Sequence, residues 1–453
     1  MTLTPHKPET IPKTAPSAIA ETEAEFNWRN CWYPVTFSQD LPLDRPMGFS
    51  LYDEPLVLFR NQESQLVCLR DRCPHRAAKL SDGQITDGKI ECLYHGWQFG
   101  TEGECLHIPQ LPKDAKIPAK ACVQSFKVVE KQGIVWMWAG HAEMADENGI
   151  PTVADLDDST VFSSDYMLDL PYDQAYFVEN ILDPAHLNIS HEATMKSRKN
   201  AQPLEMEVLK VSALGIRGRY RTTKQPNRPW MDLNFIAPNL ATYRSSVASK
   251  TGRLGGAALY SLPLGKGRCR IIIRNYTNMP TWRLKWQPRW MEHWYRDKFL
   301  EEDLALVVGQ QEQIQRLGDS LSDLYLPLKT SDLLAIEYRK WLDKYGSSLP
   351  FYQGYSTVKL PSETVEENEQ YPALDRLHRH TLICSSCSQA YRTTIRVKEI
   401  LIGCAIAFAA LAILAEDNST LQIVAVVGSL FSVGFVRVAH QVKTKFEQAY
   451  TRH

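Results

Sequence analysis

A chain of 453 residues with 44% hydrophobic and 23% charged positions is long enough for two to four domains with their own cores. Its 51 basic and 52 acidic residues leave a formal net charge of −1, which excludes a nucleic-acid binder relying on bulk positive charge, and the apolar content excludes a mainly disordered chain. Ten cysteines are too few for a disulfide scaffold of this length, so paired Cys and His are read first as metal ligands.

In chain order, residues 1–25 hold no apolar run and no arginine but carry Glu9, Glu21, Glu23 and Glu25. That pattern fits neither a secretory signal nor an Arg-rich transit peptide, and a disordered lead-in is expected over 1–28. Residues 29–140 read as an all-β domain of short strands, among them Leu56–Arg60 and Leu66–Arg70 around the polar turn Asn61–Ser64, and the β-branched and aromatic run Ile134–Trp138. Within it, Cys73-Pro74-His75-Arg76 and Cys92-Leu93-Tyr94-His95-Gly96-Trp97 place two Cys and two His on two turns. Such a set suits a two-iron cluster, with thiolates on one iron and imidazoles on the other, and it equally suits a structural zinc. Cys105-Leu106-His107 is a lone pair and is read as a decoy.

Residues 150–345 read as an α+β domain. Tyr172–His191 is expected to be helical with an interruption at Pro184; Gly215–Thr222 and Cys269–Tyr276 are expected strands; 290–317 and Ser331–Tyr345 are expected helices. Asn180, Asp183 and His186 are spaced by three, which predicts one helix face. His191 follows His186 by five, a spacing that a regular helix does not align, but Pro184 gives a reason for irregularity that would let the imidazoles converge. Two His need a carboxylate to form an open iron triad. On 297–314 the face shared by Phe299, Leu300, Leu304, Val307 and Ile314 includes Asp303, whereas Glu301, Glu302 and Glu312 are expected to point elsewhere. A carboxylate on an apolar face is costly unless paired or metal-bound, so Asp303 is the candidate third ligand, with a buried salt bridge as the alternative.

Residues 346–395 read as a linker that carries Cys384-Ser385-Ser386-Cys387, with His378 and His380 nearby. That motif suits a redox dithiol or half of a zinc site. Ile400–Ala415 and Leu421–Val436 are uncharged runs of 16 residues each, short of the roughly 20 that span a bilayer comfortably. Arg392, Arg396 and Lys398 precede the first and Arg437, Lys443 and Lys445 follow the second, while the connection Glu416–Thr420 has no basic residue. This asymmetry predicts a transmembrane helical hairpin over 396–440 with both ends cytoplasmic, followed by a basic tail over 441–453; the alternative is a buried helical pair.

The motifs C-P-H-R-A-A-x-L and C-x-Y-H-G-W-x-F resemble the ligand loops of Rieske oxygenases, and N-x2-D-x2-H-x4-H with Glu302-Asp303-x6-Gln310 resembles their mononuclear-iron motifs. With the C-x2-C and two hydrophobic segments after the oxygenase core, the chain is similar to the pheophorbide a oxygenase group. That group includes chlorophyllide a oxygenase-like members and a Rieske component of the chloroplast inner-envelope translocon. The resemblance implies a Rieske [2Fe-2S] cluster, one per subunit, on Cys73, His75, Cys92 and His95, and mononuclear Fe(II) on His186, His191 and Asp303. It implies Asn180 as a neighbour of the iron and Asp183 as the acid that links His186 to a cluster histidine of an adjacent subunit in a homotrimer.

The expected function is oxygen insertion from O2 into an apolar substrate of the chlorin type, by a protein anchored in a membrane with its catalytic body on the cytoplasmic side. Because residues 1–25 do not read as a transit peptide, a cyanobacterial thylakoid or plasma membrane is the expected location. Ferredoxin or a separate reductase is the expected electron donor, since the chain has no flavin or nicotinamide fingerprint. A redox-sensing membrane subunit without turnover is the alternative. Cys384 and Cys387 are the candidate redox switch, reduced by a thioredoxin-like protein.

Overall fold

The structure is a computed structural model and describes residues 26–194, 196–224, 227, 229–245, 254–279, 287–359, 375–415 and 419–450. The expected lead-in up to residue 25, residues 360–374 of the expected linker, residues 416–418 of the hairpin connection and the last three residues lie outside the described residues.

The first part is built from eleven short strands in three antiparallel sheets. β1 (Trp32–Phe37), β11 (Ile134–Trp138) and β10 (Val128–Lys131) form one sheet in the order β1-β11-β10. A second sheet has the order β2-β3-β4-β9, from β2 (Met47–Leu51), β3 (Glu54–Arg60), β4 (Leu66–Arg70) and β9 (Ser125–Phe126). Inserted between β4 and β9 is a small sheet of β5 (Gln84–Thr86), β6 (Lys89–Glu91), β7 (Gln98–Phe99) and β8 (Cys105–His107). The loops that bear the Cys and His motifs lie before β5 and between β6 and β7. β11 shows how the domains are joined. All five of its residues are buried, and by the two-residue period of a strand Val135 and Met137 face one core while Ile134, Trp136 and Trp138 face another. The second core also contains Met167, Leu240, Tyr260 and Ile272 of the next domain.

That domain is a seven-stranded antiparallel sheet in the order β12-β18-β17-β16-β15-β14-β13. Its strands are β12 (Phe162–Leu170), β13 (Leu204–Ser212), β14 (Gly215–Thr222), β15 (Met231–Ile236), β16 (Leu240–Ser245), β17 (Gly255–Gly265) and β18 (Arg268–Thr277). The sheet packs against α1 (Gln174–Ile181), α3 (Arg289–Leu317) and α4 (Leu333–Tyr345), while α2 (Leu187–Ser190) is a single turn after α1. The core between sheet and helices is rich in Tyr166, Leu168, Phe177, Phe235, Ile271, Leu304, Val307 and Trp341.

Four expectations need correction. The lead-in expected over 1–28 is folded in its last three residues, where Phe26 packs edge-on against Trp341 and Trp28 against Tyr52. The helix expected over Tyr172–His191 stops at Ile181, because Pro184 has no N–H to donate and disfavours helical geometry at Asp183, so Asn180, Asp183 and His186 do not share one helix face. The segment expected as linker is structured where it is described: Tyr352–Gln353 and Val358–Lys359 form a hairpin, Leu377–Thr381 is a wide helical turn, and Cys384 caps a long helix. The apolar runs belong to longer helices, α5 (Ser385–Leu414) and α6 (Ser419–Glu447), so the expected basic tail is helical up to Glu447.

These two helices pack on each other antiparallel, with Gln422 Nε2 donating to the Ala412 carbonyl and Ser429 Oγ to that of Ala405. Only 6% and 11% of their most apolar windows are buried, and Ile406, Ile413, Leu430 and Phe431 are exposed. A core pair of a water-soluble domain would bury such faces.

Candidate metal centres

The two loops of the first domain repeat one backbone plan. The Cys73 carbonyl accepts from Ala77 N and the Cys73 N–H donates to Ala78 O; likewise the Cys92 carbonyl accepts from Gly96 N and Cys92 N–H donates to Trp97 O. Closing each turn requires positive φ at its fifth residue, 58° at Ala77 and 73° at Gly96, and a Cβ at Gly96 would also meet Pro109 at 2.9 Å. Cys73 and Cys92 are buried side by side among Val57, Phe59, Val67, Leu69, Leu80, Ile90 and Phe99. Burial first, and then the neighbouring Cys92, push the Cys73 thiol up, a cost that metal binding removes by taking the thiolate. The imidazoles of His75 and His95 lie together further out, ring centroids 4.3 Å apart, and His75 stacks on Trp97 at 4.8 Å. His75 Nδ1 is buried with no hydrogen-bond partner among the described residues. A buried nitrogen lone pair without a donor, beside two thiols and a second imidazole, fits a metal cluster with sulfur on its inner side and nitrogen on its outer side. Cys105, by contrast, is on β8, where its Sγ lies 3.7 Å from the His107 carbonyl.

The second constellation is assembled from two segments more than a hundred residues apart. His186 and His191 flank the one-turn helix α2, and His191 leaves helical geometry (φ −97°, ψ 25°), so its ring comes to 5.4 Å from that of His186. Asp303, on the buried side of α3, reaches both: its Oδ2 is 3.0 Å from His191 Nε2 and 3.5 Å from His186 Nε2. The other nitrogens are already committed, His191 Nδ1 to the Glu302 carboxylate at 3.1 Å and His186 Nδ1 to the Asp183 carbonyl. If those nitrogens carry the protons, two imidazole lone pairs and a carboxylate converge on one point, which only a cation satisfies. Burial alone would raise the Asp303 carboxyl, but the close approach of His191 first, and then of His186, reverses this and holds it below the ordinary carboxylate value. For His186 burial opposes protonation, yet Asp183 and Asp303 outweigh it and raise the imidazole. Asn180 is half-buried in the last turn of α1, and Asp183 is half-buried beside His186, with Oδ1 accepting from Ala185 N at 2.8 Å and Oδ2 3.6 Å from His186 Nδ1.

Glu301 and Glu302 were expected to point away from the packed side of α3, and both are buried. Glu302 orients His191 and is also held by Thr194 Oγ1 at 2.8 Å; Glu301 pairs with Arg376. Helical periodicity missed them because α3 is covered on more than one side, by the sheet, by α2 and by the C-terminal segment. The expected effect of Glu302→Ala is a 10–100-fold weaker iron affinity at that site, about the cost of losing a residue that orients a metal-bound histidine. Iron titration of the variant checks this.

The fold and these two sets of donors define a Rieske non-haem iron oxygenase. Residues 31–127 match the family described as Rieske [2Fe-2S] domain, and residues 235–320 that described as Pheophorbide a oxygenase. Protein TIC 55, chloroplastic, of Pisum sativum is 36% identical over 438 residues, covering 91% of this chain and 79% of the relative. Pheophorbide a oxygenase, chloroplastic, of Oryza sativa subsp. japonica is 30% identical over 455 residues, covering 90% and 83%. The crystal structure of dicamba monooxygenase bound to dicamba shares the fold, with a TM-score of 0.59 at 23% identity over 71% of this chain and 98% of that one. The chain belongs to the Rieske oxygenase family that contains TIC 55 and pheophorbide a oxygenase, an enzyme family built on a [2Fe-2S] cluster and a mononuclear iron.

Proposed function

We infer that this protein is a membrane-anchored oxygenase that takes electrons from ferredoxin and inserts oxygen from O2 into an apolar, chlorophyll-derived tetrapyrrole. The observation that carries the reading is the convergence of His186, His191 and Asp303, which a redox sensor without turnover does not need. When bound, the cluster supplies electrons one at a time and the iron activates O2. The protein's part is positional. Cys73, Cys92, His75 and His95 would hold the cluster near the surface, where Leu93 and Tyr94, both about 60% exposed, flank His95 and offer an apolar rim to a partner. Asp183, half-buried against His186, is proposed to bridge to a cluster histidine of a second copy in a trimer, and Asn180 to stand beside the iron. α5 and α6, 30 and 29 residues long with exposed apolar sides, would keep the body at the membrane where an apolar chlorin partitions. That pheophorbide a oxygenase is among the relatives supports the choice of substrate class.

The test is anaerobic incubation of the purified protein with candidate chlorins, followed by reduced ferredoxin and isotopically labelled O2. A chlorin product carrying the label is expected. Oxygen uptake with no labelled product from any chlorin would move the substrate assignment elsewhere.

Asp183→Asn is expected to retain iron and cluster yet lose most ferredoxin-coupled turnover, because the bridging charge is gone while the metal ligands remain. Normal turnover in that variant would remove the bridging role. Replacing residues 399–435 by a short flexible turn keeps the base of the antiparallel pair and is expected to release the protein into the soluble fraction, whereas the full chain sediments with membranes until detergent is added.

A further inference from the structure

Four side chains that play no part in either centre above meet in the interior: His293 of α3, His380 of the wide helical turn, and Cys384 and Cys387 at the start of α5. All four are fully buried. Their donor atoms face one another: His293 Nδ1 is 3.1 Å from His380 Nε2, 3.6 Å from Cys384 Sγ and 3.4 Å from Cys387 Sγ, and His380 Nε2 is 3.3 Å from Cys387 Sγ. We propose that these residues form a closed tetrahedral site for one zinc ion, which ties the C-terminal helical hairpin to the helix that carries Asp303.

The geometry is that of a single ion. Zinc at about 2.3 Å from sulfur and about 2.0–2.1 Å from nitrogen sets tetrahedral ligand atoms roughly 3.3–3.8 Å apart. In a two-iron cluster the sulfur pair and the nitrogen pair sit on different irons and stand much further from each other than the S–N separations found here.

The hydrogen bonds leave the same requirement. β12 is an edge strand, and its outward carbonyls at Asp165 and Met167 lie 2.9 Å from His293 Nε2 and 2.6 Å from His380 Nδ1. A carbonyl only accepts, so these two ring nitrogens carry the protons and the facing pair, His293 Nδ1 and His380 Nε2, present lone pairs to each other. Two lone pairs at 3.1 Å between two fully buried rings need a cation between them. Zinc binding to two thiols and two neutral imidazoles expels two thiol protons and leaves a site of zero net charge, the cheapest form to bury.

The surroundings are also those of a thiolate–metal site. Arg289 Nη2 donates to Cys384 Sγ at 3.2 Å while paired with Asp40, and Asp40 also accepts from Ser385 N at 2.8 Å. Cys387 lies in the first turn of α5, where the helix dipole favours a thiolate. Trp290, Trp294 and Phe446 close the outside. No open position remains for water or substrate, so the role is structural. His293 and Asp303 are ten residues apart on one helix, about 15 Å along its axis, so the ion holds the helix of the iron ligand in place.

His378, which stands beside His380 in sequence, is not part of the site: its side chain is 70% exposed and bonds Asp375. Arg376 and Arg379 face Glu301 rather than the cysteines.

The test uses the full-length protein in detergent under reducing conditions. Metal analysis is expected to find about one zinc per chain in addition to iron, and X-ray absorption at the zinc edge to find two sulfur and two nitrogen neighbours. His293→Ala and Cys387→Ser should lose zinc and keep the two-iron cluster signal, while His378→Ala keeps both. Should the ligand variants fail to fold, cobalt exchange into the wild type gives the visible bands of a tetrahedral, sulfur-ligated ion. Substoichiometric zinc in reduced protein supplied with zinc, zinc with only oxygen and nitrogen neighbours, or a Cys384–Cys387 disulfide in the active protein would each overturn the proposal, the last in favour of a thiol switch.

Discussion

Asp303→Ala is expected to abolish turnover and empty the mononuclear site while leaving the cluster intact. Among the described residues, the Asp303 carboxylate is the one acidic group within reach of both His186 and His191, at 3.5 and 3.0 Å. Without it the site offers two neutral imidazoles and no compensating charge for a dication. Loss of a residue that merely orients a ligand costs 10–100-fold in metal affinity, and loss of a ligand costs more, so a fall of over about 100-fold is expected. The fold should survive, because the neighbouring Leu304 and Val307 still pack in the core and a buried carboxylate is removed rather than added. Iron analysis should fall from about three to about two atoms per chain, with the resonance of the reduced cluster unchanged. Full iron content with normal turnover in this variant would mean that another group completes the site.

Cys73→Ser should have the opposite signature: no cluster, and iron still bound at the second site. Serine supplies a poor ligand for iron–sulfur chemistry, and in the empty loop its hydroxyl is buried among Val57, Phe59 and Phe99. An unpaired buried hydroxyl costs about 1–3 kcal/mol, so thermal stability should drop as well as the visible absorbance. Cys105→Ser is the control and should keep both. A wild-type protein whose spectrum shows four-thiolate ligation, or which holds zinc and no iron in these loops, would reject the cluster assignment.

The two centres were legible in the sequence to different degrees, and the reason is the spacing of their ligands. Cys73 with His75 and Cys92 with His95 sit on turns that fold locally, so short motifs suffice to find them. His186 and His191 are also close in sequence, but what brings their rings together is the chain's departure from helical geometry after Pro184, which spacing arithmetic can suggest and cannot derive. An acid on an apolar helix face demands a partner, which singles out Asp303 as a candidate, and the fold places it beside His186 and His191. The same reasoning misplaced Glu301 and Glu302, since it assumes a helix with one buried side, and α3 has several.

Composition, motif spacing and apolar run length by themselves determined the class: a β domain with a Cys2His2 pair of loops, a domain with a two-histidine, one-carboxylate set, and two apolar C-terminal helices. What only the tertiary structure decided is the role open to the C-terminal Cys-x2-Cys. Its partner His293 lies 91 residues from Cys384 along the chain, and no local pattern links them. They meet because α5 begins where the edge of the seven-stranded sheet and α3 converge, and because edge-strand carbonyls take the outer N–H of each imidazole and turn the remaining lone pairs inward. Short-range chemistry is written in sequence neighbours; a site assembled by packing exists only once the helices and the sheet have found their places.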